Sequence, residues 1–447
     1  MRHGDYFVSL QAAKEMKYLR AIIYPVLCLC LNFSVMALDV RLTGAGSSNA
    51  IALDAPAASG LGRLFVVPSA ETLGLEANGT NGDVLWYKFD ARGAAYAEAV
   101  TKSLSLESVS GDCGYILEEG NNRIYIWIVD YSKSPMTDGV IEVVDSDCGT
   151  TTLRYTGNAP RLTYYGITGR QLEIDREIAL SNFNLEPNPE NLTFRQITDT
   201  RSLPYLHQTI AVPAPLCSTR FTLSGDRFLK AWGKEISVES EVLHPEAVEA
   251  VVNVSQVERE ASNEQKTSGT SFGGSAPVEM RLRAAVTDAA LFTEWQIASD
   301  AEFNDITLRE QSPEWDYTFN DSGTSYIRFV CANASGSCEW DSDIYTVSIG
   351  ESRLRCPNAF SPGTSEGIND EWKVSYRSII EFECHIFNRL GVKIADINNP
   401  AQGWDGKYKG QYVKPGVYYY VIKAIGADGK RYNLSGDINI VGTSSRN

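Results

Sequence analysis

Short runs of apolar residues recur along the 447-residue chain and alternate with polar breaks. β-Branched and aromatic residues dominate the runs at 84–89, 123–129 and 416–422, and Gly, Asn, Asp and Pro separate such runs. No stretch keeps the helical apolar period of about 3.6 residues over successive turns. Runs of this length and composition are typical of strands in stacked β-sandwiches. We therefore predict an all-β protein built from tandem β-sandwiches.

Breaks in this pattern divide the chain into several domains. Trp86 and Tyr87 are expected to fill the space between the two sheets of the first one. Residues 255–275 are rich in Ser, Gly, Glu and Gln and poor in aromatic residues, which predicts a flexible linker. The predicted segments are 1–37 (targeting segment), 38–158 (first β-sandwich), 159–254 (second β domain), 255–275 (flexible linker), 276–350 (third β-sandwich) and 351–447 (small C-terminal β-sandwich).

The N-terminal segment has the pattern of a signal peptide. Lys17 and Arg20 precede an apolar run at 21–35, and Ala37 offers a small residue to a signal peptidase. The run is too short to span a membrane and stop there. We expect export across the inner membrane and cleavage near Ala37, with Met16 as an alternative true start.

Composition and charge narrow the function classes. Hydrophobic residues make up 43% of the chain and aromatic residues 10%, which is enough to build cores and excludes a chain disordered throughout. The formal net charge is -16. Binding a nucleic-acid backbone requires a cationic face, so we expect no nucleic-acid partner.

The cysteines predict disulfide bonds. Loss of Cys28 and Cys30 with the signal peptide leaves seven of the nine cysteines, and an exported chain meets oxidising conditions. No C-x-x-C spacing occurs, so a zinc site is not favoured. If each cysteine pairs with another in the same predicted domain, Cys217 is left without a partner. The candidate pairs are Cys113 with Cys148, Cys331 with Cys338, and Cys356 with Cys384.

The third domain combines strand and turn signals. Trp315–Phe319 and Tyr326–Val330 are strand-like segments on either side of Gly323, and Asn333 and Gly336 predict a hairpin. The series resembles the second half of a PKD-type or immunoglobulin-like domain. This resemblance implies a spacer or binding sandwich without catalytic machinery of its own, so we expect tandem immunoglobulin-like and PKD-like sandwiches.

The pattern of the C-terminal segment predicts a small sandwich whose strands have one buried and one solvent-exposed face. Asp405-Gly406 and Asp428-Gly429 are two-residue turn signals. One strand alternates between predicted core and solvent positions. Its predicted core residues are Ile380, Phe382, Cys384 and Ile386, and its predicted exposed residues are Glu381, Glu383 and His385.

A specific series of motifs begins after Cys356. It resembles the type B C-terminal domain of type IX secretion cargo, also called the gliding-motility-associated C-terminal domain. Two departures occur: the turn 363–367 lacks the family's Asp, and Leu390 stands where the family has Trp, a volume change that we expect a core to absorb. The residues that carry the resemblance are Pro357, Asn358, Phe360, Ser361, Pro362, Asn369, Asp370, Trp372, Phe387, Asn388, Arg389, Gly391, Trp404, Asp405, Gly406, Gly416, Tyr418 and Tyr420.

The resemblance implies a sorting and anchoring module. Such domains direct a chain across the outer membrane, and type B domains are associated with an outer-membrane β-barrel of the secretion or gliding apparatus. A periplasmic peptidoglycan-binding protein is a second expected partner. The expected location is the cell surface or outer membrane, with the periplasmic face as the alternative.

Elsewhere the sequence offers a few candidate metal-binding turns and one match to a catalytic motif. Turns with Asp145 and Asp147, with Asp341 and Asp343, and with Glu366, Asn369 and Asp370 have carboxylate or amide oxygens that suit calcium, but solvated turns are favoured. The segment 269–273 matches the Gly-x-Ser-x-Gly nucleophile elbow, yet it lies in the predicted linker rather than between a strand and a helix. We predict no catalytic residue and no cofactor, with calcium as the alternative.

Three functions remain open at this stage. The leading hypothesis is an exported, non-catalytic structural or adhesin-like surface protein that is attached through its C-terminal domain to an outer-membrane barrel. An alternative is an accessory component that bridges this barrel to a periplasmic peptidoglycan binder. The third is a secreted hydrolase whose acidic N-terminal part carries the activity.

Overall fold

The computed structural model describes residues 38–80, 82–265, 272–364 and 367–442. The predicted signal peptide lies outside these residues. Strands dominate the described residues, and the helical elements are one short α-helix, α1 (Arg227–Ala231), and 3₁₀ turns. No helix in these ranges is long and apolar enough to cross a membrane. The all-β, tandem-sandwich prediction is confirmed.

The first domain is a sandwich of two sheets. Trp86 is fully buried between them, next to Leu75 and Leu117. The sheets have the strand orders β1-β4-β7 and β2-β3-β9-β8-β5-β6. The strands are β1 (Asp39–Thr43), β2 (Ile51–Leu53), β3 (Arg63–Val67), β4 (Gly74–Asn78), β5 (Leu85–Phe89), β6 (Glu98–Thr101), β7 (Ser105–Leu106), β8 (Cys113–Glu119) and β9 (Asn122–Asp130).

The second domain begins earlier than the predicted residue 159. Its sheets have the orders β10-β11-β16, β12-β13 and β15-β14-β17-β18. Because β11 pairs with β16, the segment 141–155 belongs to this domain and not to the first. The strands are β10 (Ile141–Ser146), β11 (Thr150–Tyr155), β12 (Leu162–Tyr165), β13 (Gln171–Ile174), β14 (Ile178–Asn188), β15 (Thr193–Leu203), β16 (Thr209–Pro213), β17 (Thr222–Gly225) and β18 (Ile236–Glu239).

The first and second domains share one apolar core. The outward face of the six-stranded sheet in the first domain packs against the second domain. Trp127 of β9 lies 5.6 Å, between ring centroids, from both Phe89 of β5 and Tyr165 of β12. Large aromatic groups of this kind dominate the energetics of a buried interface. The two sandwiches therefore pack as one unit.

A buried ion pair lies inside this junction. Arg176 Nη1 and Asp226 Oδ2 are 2.6 Å apart, and both side chains are fully buried. Tyr131 donates its hydroxyl hydrogen to the same carboxylate at 2.9 Å. The other carboxylate oxygen caps α1 by accepting the N–H groups of Phe228 and Leu229. Burial raises the pKa of Tyr131 to about 12.

The third domain also starts before its predicted boundary at residue 276. Strand β19 pairs with β21 over seven residues and so belongs to it. The sheets are β19-β21-β24 and β20-β27-β25-β22-β23, with β26 paired to β25. The strands are β19 (Ala250–Gln256), β20 (Phe272–Gly274), β21 (Val278–Val286), β22 (Ala290–Ala298), β23 (Ile306–Glu310), β24 (Glu314–Phe319), β25 (Gly323–Asn333), β26 (Glu339–Asp341) and β27 (Tyr345–Ile349).

The predicted flexible linker, 255–275, is wrong for most of its described residues. Its first two residues end β19, and Phe272–Gly274 form β20. The described residues 257–265 cross to the C-terminal domain, and we call them the strap. Residues 266–271, which hold most of the Gly-x-Ser-x-Gly match, lie outside the described residues.

The strap is fixed by hydrogen bonds that its polar composition supplies. Asn263 donates its amide N–H groups to the carbonyl oxygens of Val374 and Pro400, both at 2.7 Å. The Tyr376 N–H donates to the Asn263 carbonyl at 3.1 Å, and the Gln265 N–H donates to the Tyr376 carbonyl at 2.7 Å. The strap therefore adds a short strand-like segment beside the C-terminal domain.

The C-terminal domain is a small sandwich around a third core. Its main sheet has the order β29-β36-β35-β31-β32, and the pairs β28-β30 and β33-β34 complete it. The strands are β28 (Arg353–Arg355), β29 (Ala359–Phe360), β30 (Ser375–Arg377), β31 (Ile379–Phe387), β32 (Lys393–Ile397), β33 (Lys407–Tyr408), β34 (Gln411–Tyr412), β35 (Gly416–Gly426) and β36 (Arg431–Ile440).

One disulfide joins two domains rather than closing a local loop. Cys148, on the turn between β10 and β11, is bonded to Cys338, which precedes β26, across 190 residues of sequence. The predicted pairs of Cys113 with Cys148 and of Cys331 with Cys338 are therefore wrong. The reason is that packing of the second domain on the third brings these two turns together, which local spacing does not disclose.

Candidate functional site

The aromatic residues of the C-terminal motifs form one cluster. Trp372 and Trp404 are buried, and their backbones exchange hydrogen bonds at 2.9 and 3.0 Å. The Trp404 ring lies 5.5 Å from Phe360 and 5.4 Å from Tyr418, between centroids. Trp372 lies 5.1 Å from Tyr420. These five motif aromatics therefore belong to the core, where they come together from four separate segments.

The start of the motif series is anchored to this cluster. Trp372 Nε1 donates to the Pro357 carbonyl at 2.7 Å. Asn439 donates its backbone N–H, at 2.9 Å, and its side-chain amide, at 3.1 Å, to the Asn358 carbonyl. These bonds satisfy polar groups that the turn would otherwise leave unpaired. They hold β29 parallel to β36.

The predicted calcium loop is closed by its own backbone. The Asp370 carboxylate accepts the N–H of Gly363 at 3.1 Å and that of Gly367 at 2.6 Å. Ser361 donates its N–H to the Asn369 carbonyl at 2.9 Å. Glu366 lies outside the described residues. Among the residues described, no group of three or more metal-ligating side chains occurs. Calcium binding stays a prediction.

In the other two predicted calcium turns, Asp147 accepts backbone N–H groups and Asp341 lies near an arginine. Asp147 accepts the N–H groups of Gly149 at 2.8 Å and Thr150 at 2.7 Å, and these bonds lower the pKa of its carboxyl. Asp341 lies 3.8 Å from Arg328. For Asp147 the geometry is that of a capped turn.

The Asn-Arg-Leu-Gly motif forms an exposed turn. The Asn388 side-chain oxygen accepts the N–H groups of Leu390 at 2.9 Å and Val392 at 3.0 Å. Gly391 adopts φ 79°, which favours glycine. Leu390 is 79% exposed. Our expectation that a core absorbs the change from Trp to Leu is wrong, because the tight turn after β31 points this side chain into solvent.

The Trp-Asp-Gly motif forms a second tight turn. Asp405 accepts the Lys407 N–H at 3.0 Å, and Trp404 Nε1 donates to the Lys407 carbonyl at 3.0 Å. Gly406 adopts φ 76°, and a Cβ there would lie 2.7 Å from Cγ of Pro362. Both the backbone angle and the contact require glycine at this position. Gly416, with φ 147°, opens β35.

Cys356 and Cys384 remain thiols in the structure, so the predicted disulfide between them is not formed. Cys384 is fully buried, and burial raises its pKa to about 12. Burial also raises the pKa of Cys356, and it raises that of the neighbouring Tyr420 to about 12. Both thiols therefore act as small apolar core groups at neutral pH.

The predicted alternation of β31 holds only in its second half. A register shift between Ile379 and Glu381 reverses the start of the strand. As a result Ile379 is buried and Ile380 is exposed, contrary to the prediction. From Cys384 to Ile386 the inward side chains are fully buried, as predicted.

The opposite surface of the main sheet carries an unexpected apolar strip. Val417, Tyr419 and Val421 of β35 all point outward and are 40–46% exposed. Phe387 of β31 pairs directly with Tyr419. We call these four residues the C-terminal outer face. His385, which interacts with acidic side chains on both sides, borders it. The sequence signal that could have predicted this strip is the run 417–421, where both sets of alternate strand positions hold apolar or aromatic residues.

Comparisons with known proteins agree with the C-terminal motifs. Residues 354–440 match the model of the CHU_C Type IX secretion signal domain, and residues 141–240 match a fibronectin type III domain. The resemblance to a type IX secretion C-terminal domain is therefore confirmed, with an immunoglobulin-like domain upstream. The second match spans β10 to β18, in agreement with the earlier start of the second domain.

The solved structures to which this chain is similar share little sequence with it. Three N-terminal domains of the bacteriophage RB49 Highly Immunogenic Outer Capsid protein are 11% identical, with 68% of this chain and 100% of that one covered and a TM-score of 0.22. Fibronectin(III)-like modules of Clostridium thermocellum CbhA are 12% identical over 42% and 94%, with a TM-score of 0.17. Latent PorU from Porphyromonas gingivalis is 9% identical over 72% and 35%, with a TM-score of 0.15. No curated protein matches.

The two family matches indicate the function of the chain in general terms. It carries a type IX secretion signal domain and is a secreted cargo protein with fibronectin type III-like domains. The signal domain implies contact with the secretion machinery, and a cell-surface or secreted location.

Proposed function

We propose that this type IX cargo protein is a non-catalytic structural or adhesin-like protein of the cell surface. In this proposal the C-terminal domain holds it at the outer membrane by docking to a β-barrel of the secretion or gliding apparatus. The three upstream sandwiches then project outward. The proposal needs no cofactor.

The observation that carries the proposal is the C-terminal outer face. The outward positions of a half-buried sheet are normally polar. In β35, three successive outward positions are instead occupied by Val417, Tyr419 and Val421. Contiguous exposed apolar groups with a polar rim are typical of interaction sites. Lys423 and Glu383 continue the same rows with charges and supply such a rim.

Substitution of the outer face tests the anchoring step. Tyr419→Asp should lower retention of the full-length protein in the outer-membrane fraction about tenfold, because a charge replaces a central apolar contact. The measurement is immunoblotting of outer-membrane and medium fractions. Val144→Asp, at an exposed valine of the second domain, is the matched control and should leave retention unchanged.

Two further measurements make the result decisive. The purified variant should keep the melting temperature of the parent, which separates lost docking from lost folding. The released variant should appear in the medium, which separates anchoring from export. Unchanged retention of the Tyr419→Asp variant contradicts the proposed anchor surface.

The accessory-component alternative is separated by protease treatment of intact cells. A surface protein should be digested, whereas a bridge between the barrel and a periplasmic peptidoglycan binder should be protected. The hydrolase alternative has one structural feature to examine. Ser218 Oγ lies 3.0 Å from His244 Nδ1 at an exposed position. Hydrolysis that is lost in a Ser218→Ala variant would favour it.

A further inference from the structure

The outer sheet face of the third domain contains a concave trough. Strands β22, β25 and β26 form it, and its volume is about 760 Å³. Val330 and Ala332 of the central strand β25 form the floor. Glu339 and Asp341 of β26 stand along one side. Small side chains on the floor and longer ones at the sides give the sheet its depression.

The other side of the trough carries exposed apolar groups. A register shift between Ala290 and Phe292 interrupts the pairing of β22 with β25. At this bulge Leu291 is 66% exposed and Phe292 60% exposed. Strand β23 pairs with β22 only from Trp295 onward, so this part of β22 is an open edge. Bulges at sheet edges commonly redirect side chains at binding sites.

A chain of planar polar groups crosses the sheet next to Phe292. Gln296 donates its amide N–H to Glu294 at 2.6 Å, and its oxygen accepts Arg328 Nε at 2.8 Å. Arg309 also donates to Glu294. Gln296 is only 6% exposed. These bonds fix the orientation of the carboxylate and the guanidinium before any ligand arrives, which lowers the entropic cost of binding.

The acidic side of the trough is held in place at both ends. Strand β26 has only three residues. The disulfide between Cys148 and Cys338 lies immediately before it, and Ser342 after it exchanges hydrogen bonds of 2.9 Å with the Phe329 backbone. The second domain therefore braces a short strand that would otherwise be weakly held.

We propose that this trough binds a neutral oligosaccharide chain. A pyranose presents an apolar C–H face and a rim of hydroxyl groups. Phe292 and Leu291 offer the C–H face a platform, and the oriented Glu294 and Arg328 offer acceptors and donors to vicinal hydroxyls. The open shape suits a chain rather than an enclosed small molecule.

Charge selects against acidic glycans. Three carboxylates (Glu294, Glu339 and Asp341) and the guanidinium of Arg328 line the trough, and Arg309 pairs with Glu294, so carboxylates outnumber guanidinium groups by three to two. An anionic polysaccharide would be repelled by this excess. The assignment gives the proposed adhesive role a ligand class and rests on that role.

Affinity electrophoresis of the full mature chain tests the proposal. The gels contain galactomannan, xyloglucan, mixed-linkage β-glucan or starch as neutral probes, and alginate as the anionic probe. At least one neutral probe should retard the protein, and alginate should not. Phe292→Ala should weaken the binding about tenfold, since the aromatic platform is removed. Phe183→Ala, at a similarly exposed phenylalanine of β14, is the matched control.

A second variant probes the bracing. Replacement of Cys148 and Cys338 by Ser should weaken binding of the same probe severalfold, because β26 loses its brace. Absence of retardation by every neutral probe, or equal retardation of Phe292→Ala and the parent, overturns the assignment. Stronger retardation by alginate than by every neutral probe also overturns it. If a variant loses glycan binding but is still retained in the outer membrane, only the glycan proposal is affected and the anchoring proposal is not contradicted.

Discussion

The first two domains and the last two domains are joined in different ways. The first junction is a shared apolar core around Trp127, with the buried pair of Arg176 and Asp226 inside it. The last junction depends mainly on hydrogen bonds, those of Asn263 and Gln265 in the strap and the buried ones that Ser378 makes with Ser275 and Ala276. Ala427 adds an apolar contact with the core of the third domain. An apolar interface of the first kind behaves as part of one core, whereas a polar one is closer to a transient interface. The protein therefore combines two N-terminal domains fused by an apolar core with a C-terminal domain that is joined mainly through polar groups.

The largest expected effect follows from breaking the buried pair. Asp226→Ala should lower the free energy of unfolding of the first two domains by about 3–5 kcal/mol, because Arg176 is left as an uncompensated buried charge. Tyr131 loses its acceptor as well. Urea unfolding followed by tryptophan fluorescence measures the change. Glu186→Ala, which breaks an exposed pair with Arg195, is the control and should cost less than about 1 kcal/mol.

Replacing both charges sharpens this prediction. A variant with Arg176→Met and Asp226→Leu should recover most of the loss if the cost comes from the unpaired charge. A loss in the double variant that equals the single one would show that the hydrogen bonds to α1 and to Tyr131 dominate instead.

The junction between the second and third domains is covalent, and its removal is the next largest effect. Replacement of Cys148 and Cys338 by Ser should lower the stability of this junction by about 2–4 kcal/mol, since the bond restrains separation of the two domains. Hydrogen exchange at β26 and at the β10–β11 turn should report it. Cys217→Ser, at an unpaired cysteine, is the control. Unchanged exchange at both segments would contradict a bracing role.

The strap should contribute less. Asn263→Ala removes two hydrogen bonds to carbonyl groups of the C-terminal domain and should cost about 1–2 kcal/mol. Faster hydrogen exchange in β30 measures the effect. Asn253→Ala, at an exposed position of β19, should leave this exchange unchanged. If hydrogen exchange became faster only in the third domain, Asn263 would not stabilise the C-terminal domain, contrary to this prediction.

The smallest expected effect lies at the position that departs from the family pattern. Leu390→Trp and Leu390→Ala should each change the stability of the C-terminal domain by less than about 0.5 kcal/mol, because the side chain is exposed. Thermal unfolding of the full chain checks both variants. A loss above about 1 kcal/mol in either one would mean that this turn packs against a neighbour.

Local signals in the sequence predicted local features. The motif series that contains Trp372, Trp404 and Tyr418 resembles a known family of C-terminal domains, and the runs of β-branched and aromatic residues predicted sandwiches. What depends on domain packing was not predictable: the partner of Cys148 lies 190 residues away, and connectivity cannot be deduced from spacing. The strap was missed because its polar composition, which resembles a linker, is here used for hydrogen bonds to a neighbouring domain. The burial of Arg176 had no sequence signal at all.

The strap has a consequence for reporter fusions that use the C-terminal module as an export tag. A graft of residues 354–440 alone leaves Asn263 and Gln265 behind, and the free side of β30 then presents unpaired backbone groups. Open edges of this kind recruit strands from other chains. Such a tag should carry the third domain with it, or its cargo will tend to aggregate before it reaches the membrane.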